Sequence, residues 1–224
     1  MARESQNNLL PHSEAKVELL KRYLEAYLGV ISHNQFTEEI NINDLLCGQG
    51  LFPGQKQGSP VMIGRLIEAH LEKFPNSPRI KFRFRFNDLN KKKVEGVTEL
   101  LLPIEKKHSG KLELLPSTKP AEEVIKEVTI DQEFGKKRMF FNFIDPYGYA
   151  DIRFQSILQL LENRNSEVLL FQPTSFLFRF SEKGTPLALA HFLEYLNDGK
   201  PWPQGLDRFS NELAVIRSKD CRLI

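Results

Sequence analysis

Apolar positions recur at helical spacing along the first part of the chain. Val17, Leu20, Leu24, Tyr27, Leu28 and Ile31 share one face of a helix expected over 16–31, with Ser13 placed to cap its start. Residues 38–46 read as a strand, and 47–58 as a loop rich in glycine and glutamine. Ser59 and Pro60 open a second helix with an apolar face of Ile63, Leu66, Ile67, Ala69 and Leu71, broken by the prolines at 75 and 78. Over 79–86 the alternation is strict: Ile80, Phe82, Phe84 and Phe86 oppose Arg79, Lys81, Arg83 and Arg85. The remaining pattern predicts helices over 91–102, 122–128, 154–161 and 186–196, and strands over 111–115, 139–144 and 167–171. The strand over 139–144 is almost wholly apolar, as a central parallel strand should be. Strands and helices alternate throughout. This predicts an α/β fold built as a doubly wound, mostly parallel Rossmann-like sheet in a single domain. Residues 1–37 form an N-terminal segment and helix, 38–200 the sheet domain, and 201–224 a tail anchored on it, with Trp202 between two prolines as the packing point.

Composition narrows the class. With 224 residues the chain can bury a full core in one domain. A formal net charge of +2 excludes a generic polyanion binder, so any nucleic-acid surface would be a local basic patch. Cys47 and Cys221 are far apart and form neither a zinc motif nor a Cys-x-x-Cys pair. With no apolar leader and no run long enough to span a bilayer, the chain reads as cytoplasmic, with no membrane partner and no metal-ligand spacing.

Three acidic residues end predicted strands: Asp44, Asp88 and Asp145. In a doubly wound sheet ligands bind outside the carboxyl ends of the strands. Asp44-Leu-Leu-Cys47-Gly48-Gln-Gly50 is the local chemistry of a nucleoside-binding turn, in which glycines let the backbone approach a ligand. It is the usual form of an S-adenosylmethionine (SAM) turn; a dinucleotide site would more often show Gly-x-Gly-x-x-Gly running directly into a helix. Asp44, Cys47, Gly48, Gly50 and Asp88 are therefore the expected cofactor set, with Asp88 accepting from a ribose and Asp44 orienting the loop or holding an amino group. Asp145, Pro146 and Tyr147 are the candidate catalytic residues: the carboxylate accepts from an amine, the proline stiffens the backbone, and the tyrosine stacks on a flat substrate. Tyr149, Ser59 and Lys16 are assigned to the substrate. Lys91, Lys92, Lys93, Lys136, Lys137 and Arg138 offer further phosphate-holding patches, although such patches are more often solvated faces. The basic side of the 79–86 strand would be covered inside a flanked sheet, so it is expected on an edge strand or a partner surface. Of the five histidines only His12, ahead of the first helix, is placed to matter.

These motifs carry a resemblance. His12-Ser-x-x-Lys16, the Asp44–Gly50 turn, Gly58-Ser59-Pro60, Phe141-Asn-Phe-Ile-Asp-Pro-Tyr-Gly-Tyr149 and Ser166-Glu-Val-Leu-Leu170, in this order, resemble the three-Cys-motif partner proteins over roughly residues 12–195. The resemblance implies a Rossmann-like methyltransferase fold, SAM as cofactor, and a protein partner with three cysteines that looks like a radical SAM enzyme. The turn is also similar to that of cytosine-C5 methyltransferases, but no Pro-Cys nucleophile is present. Asp145-Pro-Tyr is similar to the Asp-Pro-Pro-Tyr of amino-methyltransferases, without the second proline.

Two functions follow as expectations. One is a SAM-dependent methyltransferase acting on a nucleic-acid base or nucleotide amine, working with a partner protein in a phage-related or defence setting. The other is a catalytically inactive accessory module of the same fold that binds a protein partner. A nucleotide-transferring enzyme fits less well, because the chain has no Gly-x-x-x-x-Gly-Lys-Ser/Thr loop.

Overall fold

A computed structural model describes residues 11–74, 80–133, 135, 137–146 and 152–171. The expected helix over 186–196, the strand residue Arg79, the tail with Trp202 and Cys221, and the candidates Tyr147 and Tyr149 lie outside these residues.

Helix α1 runs Pro11–Ile31, strand β1 Glu39–Asp44, helix α2 Ser59–Lys73, and strand β4 Lys81–Asn87. Between β1 and α2 the expected loop contains a small antiparallel hairpin, β2 Leu51–Phe52 and β3 Lys56–Gln57, turned by residues 53–55. Then follow α3 Lys91–Lys107, β5 Leu112–Ser117, α4 Ala121–Glu133, β6 Arg138–Ile144, α5 Phe154–Leu161 and β7 Ser166–Leu170. The main strands form one sheet in the order β5-β4-β1-β6-β7, and every pairing is parallel. This order is that of a Rossmann-like sheet. The chain builds outward from β1 to β5, returns, and builds outward again through β6 and β7, so the reversal falls between β1 and β6.

Alternate residues of each strand face opposite layers. Ile40, Ile42, Phe82, Phe84, Phe86, Phe141 and Phe143 pack with α1, α2 and α3 in one buried cluster. Leu45, Phe140, Ile144 and Val168 pack with α4 and α5 in a second. Leu20, Leu24 and Leu28 of α1 are fully buried, as the periodicity predicts. Tyr23 and Tyr27 lie on Phe141, with ring centroids 5.8 and 5.3 Å away.

Three expectations are corrected. Ser13 is not a cap, because α1 already starts at Pro11. The third helix does not stop before Pro103 but continues to Lys107. A proline removes one intrahelical hydrogen bond, and here it does so on the exposed side, where water can satisfy the freed carbonyl. Finally, β4 is neither an edge strand nor a free basic surface. It lies between β1 and β5, and carboxylates of α4 and β5 pair with its two arginines. Arg85 pairs with Glu127 at 3.1 Å and Asp131 at 3.4 Å; Arg83 pairs with Glu113 at 3.0 Å. Strand alternation shows where the arginines point, but not that α4 and β5 supply their counter-charges.

Candidate functional site

The sequence of β1 delivers Asp44 to the carboxyl edge at the point where the strand order reverses. Asp44 is fully buried. Its Oδ2 accepts a 2.6 Å hydrogen bond from Ser59 Oγ, at the first turn of α2. Its Oδ1 is buried with no hydrogen-bond partner among the described residues. Burial pushes its carboxyl up to about 7; the hydrogen bonds from Ser59 and from the Leu46 amide oppose this, and the nearby charges of Asp145 and Asp88 add to the rise. A half-satisfied carboxyl group in this position costs stability, and such groups concentrate at functional sites.

The turn after Asp44 is built in two steps. The Cys47 amide donates to Asn87 O at 2.8 Å, fastening the turn to the end of β4, and Gly48 takes φ +63°, the left-handed region that glycine adopts without strain. The chain then leaves at Gly50 for the β2–β3 hairpin and returns at Gly58, whose amide donates to Gly50 O at 2.8 Å. Gly50 is not glycine for a ligand. A Cβ there would meet Val61 and Val97 methyls at 3.0 Å, so the residue makes room for α2 and α3. Gly58 is the stricter position, since a Cβ would lie 2.0 Å from the Gln49 carbonyl oxygen. It also precedes α2 directly, leaving the amino end of that helix, with its partial positive charge, beside the turn.

Asp88 and Asp145 stand on either side. Asp88, just after β4, is buried; it accepts from the Asn90 amide at 2.8 Å and pairs with Lys93 at 3.4 Å. Each carboxylate oxygen keeps a second lone pair. Leu89, next to it, is 70 % exposed and gives the edge an apolar surface. Asp145, just after β6, pairs with Lys16 of α1 at 2.6 Å, and Pro146 follows it. Lys16 Nζ also lies 5.6 Å from the centre of the Phe171 ring. The structure thus gathers Asp44, Ser59, Cys47, Gly48, Asp88, Asp145 and Lys16 at one edge.

Cys47 contributes backbone rather than thiol chemistry. It is buried, and burial together with Asp44 and Asp88 pushes its thiol well above the ordinary value, so it stays protonated. Three asparagines were not singled out from the sequence. Asn87 donates to Leu45 O and Lys119 O and accepts from the Lys119 amide, tying three strand ends together. Asn43 donates to Asn142, which donates to Ser166 Oγ and Glu167 O, linking β1, β6 and β7. The signal was available: a lone asparagine within the apolar β6 run needs partners if buried.

No protein-family model and no curated protein matches the chain. Among the described residues, no helix is long and apolar enough to cross a membrane.

Proposed function

We propose that the chain is a SAM-dependent methyltransferase acting on an amine of a nucleic-acid base or nucleotide. The observation that carries this reading is the buried Asp44 carboxyl, one oxygen unpartnered, at the sheet's reversal point beside the amino end of α2. A polar ligand with a donor group would satisfy that oxygen. Asp88 would accept from ribose hydroxyls, and Leu89 would cover one side of a base. SAM, when bound, supplies a transferable methyl group. The chain's own part is orientation: the Cys47–Gly50 turn and Ser59 shape the floor, Lys16 positions Asp145, and Asp145 accepts a hydrogen bond from the amine. The motif likeness to three-Cys-motif partner proteins adds the proposal of a radical SAM-like protein partner.

A second reading, an accessory module without transfer activity, is favoured by one fact. Asp145 and Asp88 already carry ion pairs to Lys16 and Lys93. Calorimetric titration with SAM and S-adenosylhomocysteine separates the two. Binding in the micromolar range, lost in Asp88→Ala and Asp44→Asn, is expected for the methyltransferase. Absence of binding by either ligand would reject it and favour the module.

A further inference from the structure

Away from the carboxyl edge, the far ends of α2 and α3 bring Glu68, Glu72 and His108 together. The glutamates lie one turn apart on α2, and His108 follows the last residue of α3. One ligand-type atom of each lies within 4.8 Å of the other two. The Glu68 side chain is 15 % exposed and that of Glu72 52 %. His108 Nε2 is buried with no hydrogen-bond partner among the described residues. A cation already sits against the carboxylates: Lys107 Nζ lies 3.1 Å from Glu68 Oε1 and also pairs with Glu72, while Arg65 holds the other Glu68 oxygen at 2.9 Å.

We propose that Glu68, Glu72 and His108 bind a divalent transition-metal ion of the zinc class, with the Lys107 ammonium standing in its place in the metal-free protein. One imidazole nitrogen and two carboxylates form a borderline ligand set that suits zinc better than magnesium or calcium, which prefer all-oxygen sites. Around a tetrahedral zinc, ligand atoms lie about 3.4 Å apart. The observed cluster reaches that by small side-chain rotations of long glutamates. Lys107 sits on a flexible stem and can swing into water when the ion arrives. Three protein ligands leave a fourth position for water. The ion would clip α2 to α3 at the ends opposite those that carry Ser59 and Asn90, and the proposal stands independently of the cofactor reading.

The test uses the full chain after chelator treatment, titrated with zinc chloride by calorimetry and with cobalt(II) by visible absorption. Glu72→Gln and His108→Ala should each weaken zinc binding at least about tenfold. Lys107→Ala should tighten it, because the competing cation is gone. Cobalt should give tetrahedral absorption bands that are lost in His108→Ala. Circular dichroism checks that each variant is folded; if His108→Ala is not, His108→Gln replaces it with the same expectation. Zinc affinity unchanged in both ligand variants would overturn the proposal. So would weaker binding in Lys107→Ala, or magnesium binding as tightly as zinc.

Discussion

Asp44 shows how burying one carboxyl sets its charge against stability. Its folded carboxyl titrates near 7, raised above its ordinary value of 3.8 by burial. In the unfolded chain it ionises near that ordinary value. Between roughly pH 4 and 7 the folded state therefore holds a proton that the unfolded state has released, and stability falls as pH rises. Above about pH 7 the whole penalty, on the order of a few kcal/mol, is present. Asp44→Asn cannot ionise, so its stability relative to the parent should grow from pH 4 to 7 and then level off. Urea denaturation at a series of pH values checks this, and a difference independent of pH would reject the assignment. The variant loses a fixed amount at all pH values if its amide nitrogen finds no acceptor, but that offset does not alter the slope. A sequence can show that an acidic residue ends a strand. It cannot show that one oxygen has a serine partner fifteen positions on and that the other, buried, has none among the described residues.

At the scale of elements, periodicity located each main strand and helix among the described residues within a few positions, because one buried face per element is enough to impose it. The misses share a cause. The β2–β3 hairpin is too short to display a period. Pro103 reads as a helix end unless the exposure of its side is known. The basic face of β4 reads as surface because its partners come from β5 and α4, some thirty to forty residues away. Those partners make a prediction. The Arg85 side chain is 13 % exposed, while Glu127 and Asp131 are about one third exposed. Arg85→Ala leaves two carboxylates beneath the sheet facing a shortened side chain, with partial access to water. The expected loss is about 1–2 kcal/mol, below the 3–5 kcal/mol of a fully buried pair. Arg85→Met with Glu127→Gln and Asp131→Asn should recover part of it. Denaturant midpoints measure both, and an unchanged midpoint in Arg85→Ala would mean that the arginine only covers surface.

For the molecule as a whole, the candidate site is legible in the sequence as a set of strand ends and illegible as an arrangement. The acidic residues could be named one at a time, and so could Lys16. That Lys16 meets Asp145 across 129 positions depends on where α1 lies after the sheet has formed. Helix α1 closes this edge with two ion pairs at its beginning, Lys16 with Asp145 and Glu14 with Lys56 of the hairpin. Its later turns are held differently, by Leu20, Leu24 and Leu28 in the core. The paired groups are roughly one third to one half exposed, so each pair contributes only about 0–1 kcal/mol. The buried leucines contribute about 1.5–3 kcal/mol each. The helix should thus open from its first turns while its second half stays closed. Amide exchange should be faster before Leu20 than after it. Lys16→Met should speed exchange in the first turns and shift the unfolding temperature by no more than about 2–4 °C. Uniform exchange along α1, or a much larger thermal loss, would show that the pair is part of the fold's main support rather than a loose closure of the first turns.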